Sequence, residues 1–249
     1  MQWSFRNYIM LKSSRKKLIA IGCSYTEHYL TSNKSPDIDH DFPRWPQHLA
    51  DMLDMECVNL GKSGAGNDKI LAGTLDVTLK EKNIGLVVIM WSEWQRMGFQ
   101  CYPDWDRWTH ITPHDVGGWK KFILENQNVF HATRNTLRTF IHAEKLLKDL
   151  PYLFIQGISS QQTYRRRSAK EIIISPYLNY IEKNIGDKFV GWPIMSELGG
   201  YCIENILDKK DPSRSKFRIS RIDNHPNAAG HKFIADFLYE QYKEIYNEH

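Results

Sequence analysis

Six consecutive residues, Leu86 to Trp91, are all apolar or aromatic. A run this short and this uniform marks a strand covered on both faces, because a strand with one wet face alternates. Lys17–Ile21, Glu56–Leu60 and Tyr152–Gln156 also read as strands. Between them lie segments with helical character: Gln47–Met55, Asp68–Lys82, Asn128–Leu150, Pro176–Asn184 and Pro193–Leu207. In Asn128–Leu150 the apolar positions are Leu137, Phe140, Ile141, Ala143, Leu146 and Leu147. A last helix starts near Asn227 and carries Phe233, Ile234, Phe237, Leu238 and Tyr242 on one face. Strands alternating with helices predict an α/β fold, a doubly wound (flavodoxin-like) parallel sheet with helices on both faces. One domain is expected over 1–249, with an aromatic-rich insertion or lid over 94–127. In such sheets a ligand sits beyond the carboxyl ends of the strands. Ser24, the loop Gly61–Asn67 and Ser92 all fall there, each just after a predicted strand.

Composition narrows the class of protein. A hydrophobic fraction of 41% and a charged fraction of 25% suit a soluble chain that builds its core without staples. The net charge of +4 comes from mixed positive and negative residues, so nucleic acid is not an expected partner. No window approaches the roughly 18 apolar residues of a membrane span, so no membrane partner is expected. Cys23, Cys57, Cys101 and Cys202 form no Cys-x-x-Cys pair and suggest neither zinc nor disulfides; Cys57 and Cys202 sit in apolar contexts. Residues Met1–Lys17 lack a long apolar stretch and a small-residue cleavage site. The expected location is the cytoplasm, or a virion assembled there. Nothing in the sequence speaks to oligomeric state.

Two short segments far apart carry the chemistry. Gly22-Cys23-Ser24-Tyr25-Thr26 follows the first strand, and Asp223-Asn224-His225-Pro226-Asn227 opens the last helix. A serine hydroxyl is a poor nucleophile at neutral pH; it needs a base within hydrogen-bond reach, and the base needs a partner that fixes its tautomer. Ser24, His225 and Asp223 supply these three groups. For Ser24 alone, a turn serine would be the ordinary reading, and for His225 a residue preceding a helix that starts with Pro226. The placement of both beside predicted strand and helix ends is what favours catalysis. His231, next to Gly230, is expected to be structural.

These segments resemble the blocks of the GDSL/SGNH hydrolase family. Gly22–Thr26 is similar to the nucleophile block, with Cys23 where the family usually has Asp. Asn59-Leu60-Gly61-Lys62-Ser63-Gly64 is similar to the second block, which implies that Gly64 gives its backbone N–H to an oxyanion hole. Asp223-Asn224-His225-Pro226, followed by Gly230-His231, is similar to the last block. The resemblance runs from about Leu18 to the end, outside the lid and the region Tyr164–Lys170. The combination of Cys-Ser-Tyr-Thr, Trp-Ser and Asp-x-His is similar to SGNH-like proteins encoded by bacteriophages. The resemblance implies ester hydrolysis without a metal or organic cofactor. Its implied substrate is an ester, with an acylated carbohydrate preferred because five of the eight tryptophans lie between Trp91 and Trp119. Trp91, Trp94 and Arg96 are the expected substrate-binding residues.

Two departures from the family pattern stand out. The third block normally ends a strand with Gly-x-Asn-Asp, whose Asn completes the oxyanion hole; here the chain reads Trp91-Ser92-Glu93-Trp94. Ser92 through its hydroxyl, or Asn67 from the second block, stands in, with Asn67 favoured because an amide is a fixed two-proton donor. The acid also lies two residues before the base instead of three. In an extended strand such residues are about 6.6 Å apart, so the carboxylate reaches the imidazole only through a bend. These departures also fit a second reading, a degenerate hydrolase fold kept as a binding or virion module. Three other features receive ordinary readings. Gly61-Lys62-Ser63 lacks the upstream glycine of a P-loop. Asp37–Asp41 is a solvated acidic loop, and Tyr164-Arg165-Arg166-Arg167-Ser168 a solvated basic one.

Overall fold

The structure, a computed structural model, describes residues 15–28, 40–101, 107–112, 121, 125, 128–160 and 162–246. In chain order its elements are β1 (Lys17–Gly22), α1 (Trp45–Met52), β2 (Glu56–Asn59), α2 (Asn67–Lys80), β3 (Ile84–Trp91), β4 (Met97–Gln100) and β5 (Trp108–Ile111). They continue with α3 (Val129–Leu147), β6 (Tyr152–Gln156), α4 (Gln162–Ile174), α5 (Tyr177–Asn184), β7 (Phe189–Val190), α6 (Ile203–Lys210) and α7 (Ala228–Tyr246).

Five strands form a parallel sheet in the order β2-β1-β3-β6-β7. This is the doubly wound order in which the connection reverses direction between β1 and β3, opening a crevice beyond their carboxyl ends. β3 is buried from Gly85 to Trp91 and β6 along its whole length, as strands covered on both faces must be. Helices flank the sheet: α1 packs with α7, α2 with α3, and α3 with α4. Asn128 caps α3 by accepting the N–H of Phe130 at 2.8 Å, which is why that helix starts where its apolar pattern starts. Aromatic rings fill the centre, with Trp91, Phe140, Phe154 and Phe189 in mutual contact.

Three expectations are corrected. The basic run is not a loop: Tyr164–Ser168 lies within α4, and Arg165 reaches back to the Ser160 carbonyl at 3.0 Å and the Ser159 hydroxyl at 2.7 Å. Arginine is a good helix former, so charge alone does not make a loop. Pro193–Leu207 is not one helix. It is a turn, a short 3₁₀ segment at Ser196–Leu198, Gly199 in the left-handed region, and then α6. Two glycines in a row interrupt any helix there. Finally, β7 was not anticipated, since two residues carry no readable period. Within 94–127, β4 and β5 pair as an antiparallel hairpin. The acidic loop up to Asp39 and, in that insertion, residues 102–106, 113–120, 122–124 and 126–127 lie outside the described residues. No helix among the described residues is long and apolar enough to cross a membrane.

Candidate active site

The nucleophile turn forms because β1 ends in glycine. The N–H groups of Thr26 and Glu27 both return to the Cys23 carbonyl, at 2.9 and 3.1 Å, which folds the chain sharply around Ser24. A Cβ on Gly22 would strike the Thr26 hydroxyl and come within 2.9 Å of the Met90 carbonyl. Asn59 then ties the second loop to this turn. Its Nδ2 donates to the Thr26 carbonyl at 2.6 Å and its Oδ1 accepts the Gly61 N–H at 2.9 Å. Gly61 lies so close to the turn that a Cβ there would sit 2.5 Å from backbone atoms of Thr26 and Glu27. Gly61→Ala is therefore expected to lower stability by about 1–3 kcal/mol, because backbone must move to admit the methyl. A thermal melt checks it; an unchanged melting temperature would contradict this close approach.

The last block is held by a separate set of bonds. Asn227 donates to the carbonyls of Lys216 and Arg218 and accepts the Gly230 N–H, so it both opens α7 and pins the preceding segment. Arg218 and Pro226 form an isolated antiparallel bridge, and the Ile219 N–H donates to the His225 carbonyl at 2.9 Å. The predicted bend is an Asx turn: Asp223 Oδ1 accepts the His225 N–H at 3.1 Å. That turn brings the same oxygen to 2.6 Å from His225 Nδ1. His225 Nε2 lies 2.9 Å from Ser24 Oγ. A carboxylate oxygen only accepts, so Nδ1 carries the proton and Nε2 presents its lone pair to the serine hydroxyl. Ser24 and Asp223 are 5% and 4% exposed, while the imidazole side chain is 31% open to solvent. The ring of Tyr25 packs its edge on His225 at 5.7 Å.

Gly64 adopts φ +75°, a left-handed conformation that suits glycine. Among the described residues neither its N–H nor that of Ser24 meets an acceptor. Asn67, the first residue of α2, is locked against the peptide of Ser92. Its Oδ1 accepts the Ser92 N–H at 2.8 Å and its Nδ2 donates to the Ser92 carbonyl at 3.3 Å, leaving one Nδ2 proton without a partner. Gln156 Nε2 donates to the same carbonyl at 2.7 Å. The Ser92 hydroxyl is buried and unpartnered.

The expected substrate-binding residues do not line an open surface. Trp91 is a correction: it is fully buried, packed on Phe140 and Phe154, because it ends the central strand and points into the core. Trp94 is 4% exposed, its indole N–H 3.3 Å from Gln156 Oε1. The Arg96 side chain is largely buried beside Glu93, 3.5 Å away. The hairpin brings other residues instead. His110 of β5 lies against Gly64, where a Cβ would meet its own Cβ at 3.3 Å, and its ring is parallel to that of Trp108. Asp68 anchors this hairpin by accepting the Gly98 N–H at 2.7 Å. Burial, with Lys69, Lys62 and Arg96 nearby, depresses the His110 pKa and keeps it neutral. Both ring nitrogens are buried and unpartnered. Glu27, in the nucleophile turn, lies 3.8 Å from Lys62 of the second loop; burial raises its pKa, opposed by the Ser63 N–H and Lys62. No spacing in the sequence singled out His110 or Glu27. His231 is structural as expected: its Nδ1 accepts the Trp45 N–H at 3.2 Å at the start of α1, and burial keeps the ring neutral.

No family model matches the sequence, and neither does any curated protein. Solved structures do match. The psychrotrophic esterase EstA from Pseudoalteromonas sp. is 14% identical, with 94% of this chain and 100% of that chain covered and a TM-score of 0.51. A protein from Desulfitobacterium hafniense DCB-2 described as lipolytic, of the G-D-S-L family, is also 14% identical, covering 91% of this chain and 99% of its own, with a TM-score of 0.49. A carbohydrate acetylesterase family member from Sinorhizobium meliloti is 13% identical over 93% of this chain and 99% of its own, at 0.47. By its fold, a parallel five-stranded sheet flanked by helices, the chain is similar to a solved esterase over 94% of its length.

Proposed function

We propose that this chain is a serine ester hydrolase that works through Ser24, His225 and Asp223. The observation that carries the reading is the continuous line from Asp223 Oδ1 to His225 Nδ1, 2.6 Å, and from Nε2 to Ser24 Oγ, 2.9 Å, between groups 201 residues apart in the chain. Ser24 Oγ bonds to the ester carbonyl carbon while its proton passes to His225 Nε2. The carbonyl oxygen takes the displaced electron pair and is met by the free N–H groups of Ser24 and Gly64 and by the spare Nδ2 proton of Asn67. The carbon–oxygen bond to the alcohol then breaks, and His225 returns its proton to that leaving oxygen. Water attacks the acyl-Ser24 by the same route and releases the acid. Asp223 stays ionised throughout and holds the imidazole tautomer.

A fluorophosphonate probe tests the reaction class. Covalent labelling at Ser24, absent in Ser24→Ala, is the expected result; a folded protein that takes up no label would overturn it.

The two candidates for the third oxyanion donor make different predictions. Asn67→Ala is expected to lower kcat by about 10²-fold, the usual effect of one oxyanion donor. Ser92→Ala should change it little, since that hydroxyl bonds to nothing. Steady-state rates on 4-nitrophenyl acetate decide; the reverse pattern would move the role to Ser92.

For the substrate we propose a short acyl ester of a polyhydroxy compound, such as an acetylated polysaccharide. His110 supports this: a neutral imidazole with one donor and one acceptor to satisfy, next to Gly64, suits a hydroxyl, which is both. Trp108 beside it offers an aromatic face. Rates on 4-nitrophenyl esters of increasing chain length, with acetate release from acetylated xylan, check the proposal. A preference for long acyl chains would point to lipid instead.

A further inference from the structure

The acid and base stand one residue closer in sequence than the pattern this chain resembles, so something must hold the tighter bend. Asn224 lies between them, and its surroundings are unusual. Its carbonyl oxygen accepts from the Tyr25 hydroxyl at 2.9 Å and from Arg218 Nη1 at 2.5 Å. Arg218 Nη1 also donates to the Tyr25 oxygen at 2.8 Å, closing a three-membered ring of hydrogen bonds. On its other side the Arg218 guanidinium donates through Nη2 to Asp208 Oδ1 at 2.8 Å and to the Glu204 carbonyl at 3.2 Å. Asp208 Oδ2 accepts from Arg214, which in turn donates to the Asn224 side-chain oxygen at 3.0 Å. Arg218 is 2% exposed and Tyr25 3%. A buried guanidinium is costly unless nearly all of its donors are used, so this one is placed for a reason the core alone does not need.

The peptide unit joining Asn224 to His225 is therefore gripped at both ends. Its C=O is held by Tyr25 and Arg218, and its N–H by Asp223. A peptide unit is planar and stiff, so fixing its two polar ends fixes where the His225 Cα lies, and the Ile219 N–H on the His225 carbonyl restrains the backbone rotation that then aims the side chain. Tyr25 is also the residue after Ser24, and its ring edge lies on the imidazole. One side chain thus links the peptide of the base to the turn of the nucleophile. Burial raises the Tyr25 pKa well above its ordinary value, so the phenol keeps the proton it donates to Asn224.

We infer that Arg218, with Tyr25 and Asp208, forms a positioning clamp that makes the Asp-x-His spacing workable by orienting His225 between Asp223 and Ser24. This rests on the esterase reading of the same site. None of the three touches the reacting atoms; each acts through the peptide that carries the base.

Tyr25→Phe is the sharpest test, because it keeps the ring on His225 and removes only the hydroxyl. Its kcat on 4-nitrophenyl acetate is expected to fall about tenfold with KM nearly unchanged. Arg218→Lys keeps a buried charge but loses the fork, and should fall further, by about 10²-fold, the scale of an ångström of misplacement. Asp208→Asn should lie between them. A second readout needs no turnover: the downfield proton resonance of His225 Nδ1–H, expected in the unsubstituted protein and shifted or broadened in Tyr25→Phe. Wild-type kcat and an unmoved resonance in Tyr25→Phe would overturn the clamp. So would a loss of kcat that merely tracks a loss of folded protein in thermal melts. A resonance that moves in a protein hydrolysing no ester keeps the clamp and overturns the esterase reading; an unmoved resonance in an active enzyme overturns the clamp alone.

Discussion

Ser24→Ala is expected to remove hydrolysis of 4-nitrophenyl acetate by about 10⁴-fold or more in kcat while leaving the fold intact. The two halves of this expectation have separate causes. Among the described residues the Ser24 hydroxyl forms one hydrogen bond, to His225, so its loss strands no second buried partner there. The turn that carries it is made by backbone bonds to Cys23, which alanine preserves. In the proposed reaction, however, the bond that forms in the first step is from this oxygen. His225→Ala should cost a similar amount, and the double variant hardly more, because the two groups act as one unit. Matched circular dichroism and initial rates decide it. A Ser24→Ala protein within tenfold of the original rate would exclude Ser24 as the nucleophile.

Asp223→Asn is expected to lower kcat by up to about 10⁴-fold, the full amount where the amide reverses the tautomer of the base. The carboxylate oxygen that faces Nδ1 accepts both the ring proton and the His225 backbone N–H. An asparagine whose oxygen takes this place keeps both bonds and the tautomer, and loses only the negative charge that steadies the imidazolium. If its NH₂ takes the place instead, a donor meets the His225 N–H and the Asx turn is lost; Nδ1 must accept, the proton moves to Nε2, and the lone pair that should take the serine proton is gone. Asp223→Ala would remove the turn as well, so it is the less informative change. The measurement is kcat and fluorophosphonate labelling rate in parallel with a thermal melt. Activity near the original level would mean that another carboxylate serves the base, with Glu27 of the nucleophile turn, whose charge interacts with His225, the candidate.

The parts of this molecule that the sequence makes legible are those governed by short-range pattern. β1, β2, β3 and β6 announce themselves as compact apolar runs, and each ends within about a residue of its expected limit. The doubly wound order follows from their alternation with helices, and it puts Ser24, the Gly61–Asn67 loop and Ser92 at one end of the sheet. Ser24, His225 and Asp223 could be proposed together from their types and flanking residues, and the fold brings them within hydrogen-bond reach. What was hidden depends on tertiary packing. Trp91 looked like a ligand platform only because the run it ends could not show which way its last side chain points. Arg218 sits in a segment of mixed charge with no period, and only the fold brings it to Asn224. Phe189 and Val190 both favour strands, but two residues show no period, and it is pairing with β6 that defines β7. His110 reaches Gly64 through a hairpin whose anchor, Asp68, is far from it in sequence.

The adjacency of β1 and β3 has a wider implication. The turns bearing Ser24 and Ser92 leave two neighbouring strands whose separation is dictated by backbone ladder spacing, about 4.8 Å, and by no side chain. Asn67 then grips the Ser92 main chain at both its N–H and its C=O. The gauge of the reaction chamber is thus made of peptide. Interior residues can be exchanged one after another, with their volumes compensating, and the span from Ser24 to the Ser92 main chain is expected hardly to drift.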